Sequence, residues 1–255
     1  MRVIENIIIN ADCLSSKGLQ SIPSKSIDLI ICDLPFEQTC NHWDKIIPFA
    51  PMWEQLKRIR KDNTAIVLMG MQPFTTILNA SNIKEYRYEY AWKMKEKRNF
   101  LNASKMPLRQ HINISVFYKS LPIYNPQKTK GHKPVNKYRK HSSDGSNYGK
   151  TTIGVEGGGQ TDRHPTSIID IPYKTITKKE RIHNTQKPVE LYEWLTLTYS
   201  NPGAVVLDFA AGGCTCAVGC ITTGRKFICI EKDKEIYEKA YERVFKGEHQ
   251  LKMII

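Results

Sequence analysis

The stretch Ile27-Asp28-Leu29-Ile30-Ile31-Cys32-Asp33-Leu34-Pro35-Phe36 constrains the fold more than any other. From Ile27 to Cys32 only Asp28 is polar. An apolar run that short, closed by a turn signal, reads as a strand covered on both faces, as in a parallel sheet. Pro35 fixes its own φ and has no N–H for a ladder, so the strand ends before it. In open α/β sheets ligands sit beyond the carboxyl ends of the strands. Asp33 and Phe36 are therefore expected where a substrate would lie.

A second unit of this kind closes the chain. Ala204–Leu207 reads as a strand ending at Asp208, followed by Phe209-Ala210-Ala211-Gly212-Gly213-Cys214-Thr215-Cys216 and a helix to about Thr223. Lys226–Ile230 is the next strand, ending in Glu231, an acid 23 residues after Asp208. A β-turn-α-β unit with glycines in its first turn and an acid at the next strand end binds an adenosine ribose through its hydroxyls. Asp208, Phe209, Gly212, Gly213 and Glu231 are candidate cofactor residues on this pattern. Strands are also expected at Ile7–Ile9, Thr64–Met69, Tyr86–Met94 and His111–Tyr118. Helices are expected around Ser15–Gln20, Pro51–Arg60, Pro73–Ala80, from Pro188 onward and over Asp233–Phe245. The 255 residues suit one doubly wound, mostly parallel Rossmann-like α/β domain with an insertion.

The net charge of +13 is concentrated. Lys93–Arg109 carries six basic residues against one acid, and Asn125–His183 twelve against five. These two segments hold nearly all of the excess, which favours a polyanion as partner. The first is read as a loop over the active-site face, Lys95–Arg109, with Lys95, Lys97, Arg98, Lys105 and Arg109 as candidate contacts to that polyanion. The second is rich in Gly, Ser, Thr and Asn with little hydrophobic periodicity, and offers Lys128, Lys130, Lys137, Arg139 and Lys140. The expected division is 1–124, an inserted region 125–182, and 183–255.

No apolar run approaches the roughly 18 residues of a membrane span, and Met1–Asn10 is too short and mixed for a signal peptide. The seven cysteines lack a disulfide framework, so a reduced cytoplasmic protein without membrane contact is expected. Cys214-x-Cys216-x₃-Cys220 has a metal-like spacing. It falls on the opening of a buried helix, where Cys is a small hydrophobe, and no metal is expected.

Asp33-Leu34-Pro35-Phe36 resembles the D-P-P-Y motif of amino-group DNA methyltransferases, and His183-Asn184-Thr185-Gln186-Lys187-Pro188 resembles their H-P-T-Q-K-P element. The order of motifs matches the β group of that family, across the whole chain. The resemblance implies S-adenosylmethionine as cofactor, double-stranded DNA as substrate, and methylation of adenine N6 or cytosine N4 on a flipped base. It implies that Asp33 and the Leu34 carbonyl accept the amine hydrogens and that Phe36 offers a π-face to the base, with Pro35 counted among the catalytic residues. Asp12 would lie near the cofactor's adenine, Thr185, Gln186 and Lys187 would border its methionine end, and the insertion would recognise the target. Asp33, where many N4-cytosine enzymes carry serine, favours adenine. N4-cytosine methylation and a DNA-binding protein with a decayed site are the alternatives. Dimers are common in the group, and a partner endonuclease stays open. No proline precedes a cysteine, so the cytosine-C5 nucleophile is lacking.

Two residues depart from the family pattern: Leu34 replaces a proline, and Cys214 stands where the second glycine of a Gly-x-Gly turn is expected. Cys214 is expected to take helical angles, so that the helix starts one residue sooner and Gly212 and Gly213 supply the permissive positions. On that expectation Cys214→Gly would tighten cofactor binding.

Overall fold

The computed structural model describes residues 5–37, 44–139, 156–177, 181–183 and 185–246. Met1–Asn125 with Ser167–Ile255 form one compact unit and Pro126–Thr166 another.

The main unit is built on eight strands: β1 (Ile7–Asn10), β2 (Ile27–Asp33), β3 (Arg60–Gly70), β4 (Tyr86–Arg98), β5 (Arg109–Phe117), β8 (Ile168–Ile169), β9 (Val205–Asp208) and β10 (Lys226–Glu231). Their order is β1-β10-β9-β2-β3-β5-β4-β8. Only β5 runs against the rest. The helices are α1 (Phe49–Ile59), α2 (Phe74–Ser81), α3 (Val189–Tyr199), α4 (Thr215–Thr223) and α5 (Lys234–Phe245). The second unit carries a two-residue antiparallel ladder, β6 (Tyr138–Arg139) with β7 (Glu156–Gly157).

Side chains alternate across each strand, and the two cores follow that period. On β2, Leu29 and Ile31 pack with residues of α3, α4 and α5, whereas Ile30 and Cys32 pack with α1 and α2. All four are fully buried, and burying a side chain of the Leu or Ile kind stabilises by about 1.5–3 kcal/mol. Asp28, the polar exception, is satisfied in place. Its carboxylate accepts from Lys61 Nζ at 2.6 Å and from the Val205 amide at 2.9 Å. Pro188 and Gly224 bound α3 and α4 as their residue types lead one to expect, Gly224 at φ 71°.

Two expectations change. The helix at Ser15–Gln20 is a run of turns with one 3-10 turn at Leu19–Ser21. Gly18 abuts the Asp12 and Cys13 carbonyls so closely that a Cβ there would lie 2.4 Å from each. The loop Lys95–Arg109 is also shorter than expected, because β4 continues to Arg98 and β5 starts at Arg109. No described helix is long and apolar enough to cross a membrane.

Candidate active site

β1, β10, β9, β2, β3 and β4 all end at one edge of the sheet, and a cleft of about 1000 Å³ opens there. All four residues Asp33 to Phe36 line it, as does every cofactor candidate except Asp208.

The end of β2 delivers Asp33 into the cleft wall. One carboxylate oxygen, Oδ2, is paired with Lys187 Nζ, which also reaches the Thr185 carbonyl at 3.3 Å. The pair is largely buried, the side chains 17% and 8% exposed respectively. The other oxygen, Oδ1, is buried and has no hydrogen-bond partner among the described residues. Buried polar atoms in folded proteins are almost always hydrogen-bonded, so Asp33, a residue that lines the cleft, carries an unsatisfied acceptor just beneath its surface. Lys187, expected at the cofactor, lines the same cleft and is paired with Asp33.

Leu34 is buried in the α1–α2 core. The next turn is braced by Asp44, whose Oδ1 accepts from the Phe36 amide at 2.9 Å and the Glu37 amide at 2.8 Å. That brace allows Glu37 its left-handed φ of 55°. The Phe36 ring packs on Phe74 with centroids 5.9 Å apart, and Phe74 packs on Phe49 at the same spacing. Sequence reasoning missed Asp44, for nothing in the local pattern marks it.

Among the cofactor candidates, Glu231 lies at the cleft wall and holds two loops together. Its Oε2 accepts from the Gly212 amide and its Oε1 from the Asp233 amide, both at 2.7 Å. Burial raises its pKa, and those amides oppose the rise. Gly212 has φ 50°, and from α5 Arg243 donates to the Gly213 carbonyl at 2.6 Å. Gln186 accepts from the Ile182 amide at 3.0 Å, and its Oε1 stands 3.2 Å from where a Cβ on Gly213 would be. Thr185 Oγ1 meets His183 Nδ1 at 3.0 Å. Burial lowers the His183 pKa, which favours the neutral ring. Asp12, exposed at the rim, accepts from the Leu14 amide at 2.9 Å and pairs with Lys232 at 2.9 Å, and that pairing lowers its pKa.

Asp208 is the exception. It is fully buried beneath the glycine turn, with the Ala210 amide 3.3 Å and the Tyr192 hydroxyl 3.5 Å from its oxygens. Burial pushes its pKa up to about 7.

Cys214 also departs from expectation. It sits at φ 52°, ψ 41°, and α4 begins only at Thr215. Gly213, by contrast, has no positive φ. The turn therefore keeps the left-handed geometry of the expected glycine with a cysteine in it, at a cost of about 1–2 kcal/mol. The buried Cys214 side chain offsets much of that strain by packing in the α3–α4 core. Cys214→Gly is now expected to leave cofactor affinity within about threefold and stability within about 1 kcal/mol. Titration calorimetry and chemical denaturation check this, and a tenfold gain in affinity would contradict it.

The basic residues divide into tied and free. Lys95 is turned onto Tyr173, bonding its carbonyl and lying 4.6 Å from its ring centroid, so its charge belongs to the fold. Lys97, Arg98 and Lys105 are exposed, and Arg98 and half-buried Arg109 line the cleft. In the second unit Lys128 pairs with Asp162 at 2.9 Å and Arg139 with Glu156 at 3.5 Å. Lys130 and Lys137 are exposed, with no ion pair among the described residues. Lys140 lies outside the described residues. No group of three metal-ligating side chains occurs among the described residues.

A family model described as DNA methylase, of the N6/N4 methyltransferase class, matches residues 27–242. The chain is similar to the protein named DNA adenine methyltransferase YhdJ of Escherichia coli K12, 25% identical over 95% of this chain and 83% of that one. Among solved structures it is similar to the M1.HpyAVI–SAM complex, with TM-score 0.60 and 18% identity over 93% of this chain and 98% of that one. It is likewise similar to the PvuII DNA methyltransferase, titled cytosine-N4-specific, with TM-score 0.64 and 15% identity over 96% and 94%. The shared element in those two cases is the Rossmann-like fold.

Proposed function

The chain belongs to the N6/N4 DNA methylase family, and on that premise we propose that it methylates adenine N6 in double-stranded DNA, using S-adenosylmethionine. The observation that carries this reading is Asp33 at the cleft wall, with its Oδ1 left without a hydrogen-bond partner among the described residues. An exocyclic amine is a poor nucleophile because its lone pair is conjugated into the ring. Asp33 Oδ1 and the Leu34 carbonyl accept its two hydrogens, which returns the lone pair to nitrogen. Lys187 fixes Oδ2 and leaves Oδ1 as the carboxylate oxygen without a partner. Phe36, backed by Phe74, offers a π-face to a base out of the stack, and stacking of this kind contributes about 1–3 kcal/mol per base.

The residues present fit the cofactor. Glu231 keeps lone pairs for ribose hydroxyls beyond the two amides it accepts, and the positive φ of Gly212 opens the turn beside it. Asp12 and Phe209 border the adenosine end, and Thr185 and Gln186 the methionine end. When bound, the cofactor supplies an electrophilic methyl group on a sulfonium. Asp208 acts from below, shaping the turn.

Adenine is favoured over cytosine N4 by the carboxylate at position 33 and by the adenine activity in the name of YhdJ. A decayed site is disfavoured because Leu34 keeps the carbonyl that the amine needs and Cys214 keeps the turn geometry. Transfer of tritium from methyl-labelled S-adenosylmethionine into DNA tests the activity. Incorporation is expected, and none at saturating cofactor would refute it.

The free cations of the second unit are assigned to DNA phosphates. Replacing Lys130 and Lys137 with alanine is expected to flatten the salt dependence of DNA binding by up to about one slope unit per lost contact. Lys128→Ala and Arg139→Ala should do less, because those charges already face Asp162 and Glu156. An unchanged slope in the Lys130/Lys137 variant would mean that neither contacts DNA.

A further inference from the structure

The tip of the β4–β5 hairpin is more apolar than a solvated loop should be. Phe100 is 72% exposed, Leu101 83%, Met106 50% and Leu108 38%. Single exposed hydrophobes are ordinary, but four within nine residues of one loop are not, and clusters of exposed apolar side chains mark interaction sites. The exposure is built in, because the loop holds its shape with its own hydrogen bonds. Asn102 Nδ2 donates to Asn99 Oδ1 at 2.7 Å, and the Ala103 and Met106 amides donate to the Phe100 and Asn102 carbonyls at 3.1 and 3.0 Å. Asn99 starts the turn at φ 70°, a conformation asparagine tolerates better than most residues.

Position says what the patch meets. Arg98 and Asn99 at one end of the loop and Arg109 at the other line the same cleft as Asp33. Lys97 precedes the apolar tip and Lys105 lies within it, and Glu96 is the only acid between Lys93 and Arg109. An apolar tip between cations, at the mouth of a cleft that takes a base, fits a DNA duplex: cations to phosphates, side chains to base faces. A membrane or protein partner would leave the continuity with the cleft unexplained.

We propose that this loop is a wedge that enters the base stack beside the target, with Leu101 and Phe100 occupying the space the flipped base vacates. Apolar wedges of this kind unstack and hold open base steps in other DNA-binding proteins. The inference rests on the methylase reading, and the test separates the two. Phe100→Ser/Leu101→Ser alters side chains with little packing, and its fold is checked by thermal melting and cofactor titration. Methyl transfer is measured on a duplex bearing a site mapped from DNA modified by the wild type. It is measured again on that duplex with the base opposite the target removed, where extrusion costs less.

The variant is expected to lose at least tenfold in kcat/KM on the intact duplex and to stay within about threefold of wild type on the abasic one. An equal loss on both duplexes, or no loss on the intact one, would overturn the wedge. So would a shift of the variant to a smaller species in sedimentation, which would assign the patch to a second copy of the chain. Absence of methylation by the wild type on any DNA would overturn the methylase reading, and the wedge with it.

Discussion

Asp33→Ala is expected to lower the rate of methyl transfer by about a thousandfold while leaving DNA affinity within a few-fold. A positioned acid–base group contributes roughly 10²–10⁴ and an electrostatic stabiliser of the transition state roughly 10²–10³. Asp33 would act in both ways, accepting an amine hydrogen and facing the charge that develops on nitrogen. The loss should appear in kcat, with KM for DNA nearly unchanged, because the contact strengthens in the transition state. The substitution also strands the Lys187 ammonium, only 8% exposed. Removing one partner of a buried pair typically destabilises by about 3–5 kcal/mol. The Asp33→Ala/Lys187→Met variant removes both charges and is expected to recover most of that stability while staying inactive. Full single-turnover activity in either variant would sink the mechanism.

Asp208→Asn is expected to stabilise the protein at pH 8 and to leave stability at low pH nearly unchanged. The Asp208 carboxyl titrates near 3.8 when unfolded and at about 7 in the fold, chiefly because burial disfavours its charge. Between those values the folded chain holds a proton that the unfolded chain has lost. The folded state is therefore progressively penalised as pH rises from about 4 to about 7, and the full penalty stands above that. At 1.36 kcal/mol per unit the total is on the order of 4 kcal/mol. Asparagine keeps an acceptor for the Ala210 amide and carries no charge. The difference in denaturation free energy, variant minus wild type, should thus grow from near zero at pH 4 to a few kcal/mol at pH 8. A variant less stable than wild type at pH 8 would show that the fold needs an ionised carboxylate there. Because Asp208 does not line the cleft, cofactor affinity should change only a few-fold.

Both substitutions show where sequence reasoning worked and where it stopped. Strand β2 was legible because a continuous apolar run has few alternatives in a chain this long, and its proline fixed where Asp33 would stand. Glu231 was legible by the same logic of strand ends. Asp208 shares that logic, yet lies under the turn, since a strand-end position does not say whether a side chain points into the cleft or below it. The ion pair of Asp33 with Lys187 joins residues 154 positions apart, and no local pattern encodes it. Asp44 was invisible although it is only eight positions from Phe36, because no residue pattern marks the brace. A left-handed Cys214 was missed because residue preference argues against it, and the packing of its side chain overrides the preference. Charge runs proved the least specific signal. Counting found the basic segments, but only the folded structure separates Lys95, Lys128 and Arg139, which have partners, from the exposed Lys130 and Lys137.

The central claim is that this cleft methylates an exocyclic amine of adenine with Asp33 as acceptor. It is tested most directly by identifying the product nucleoside. DNA treated with the wild type and labelled S-adenosylmethionine is digested to nucleosides and separated by chromatography, with Asp33→Ala in parallel. The account predicts label in N6-methyl-2′-deoxyadenosine with the wild type and none with the variant. Label in N4-methyl-2′-deoxycytidine would contradict the choice of base, and label of equal yield from the variant would contradict the role of Asp33.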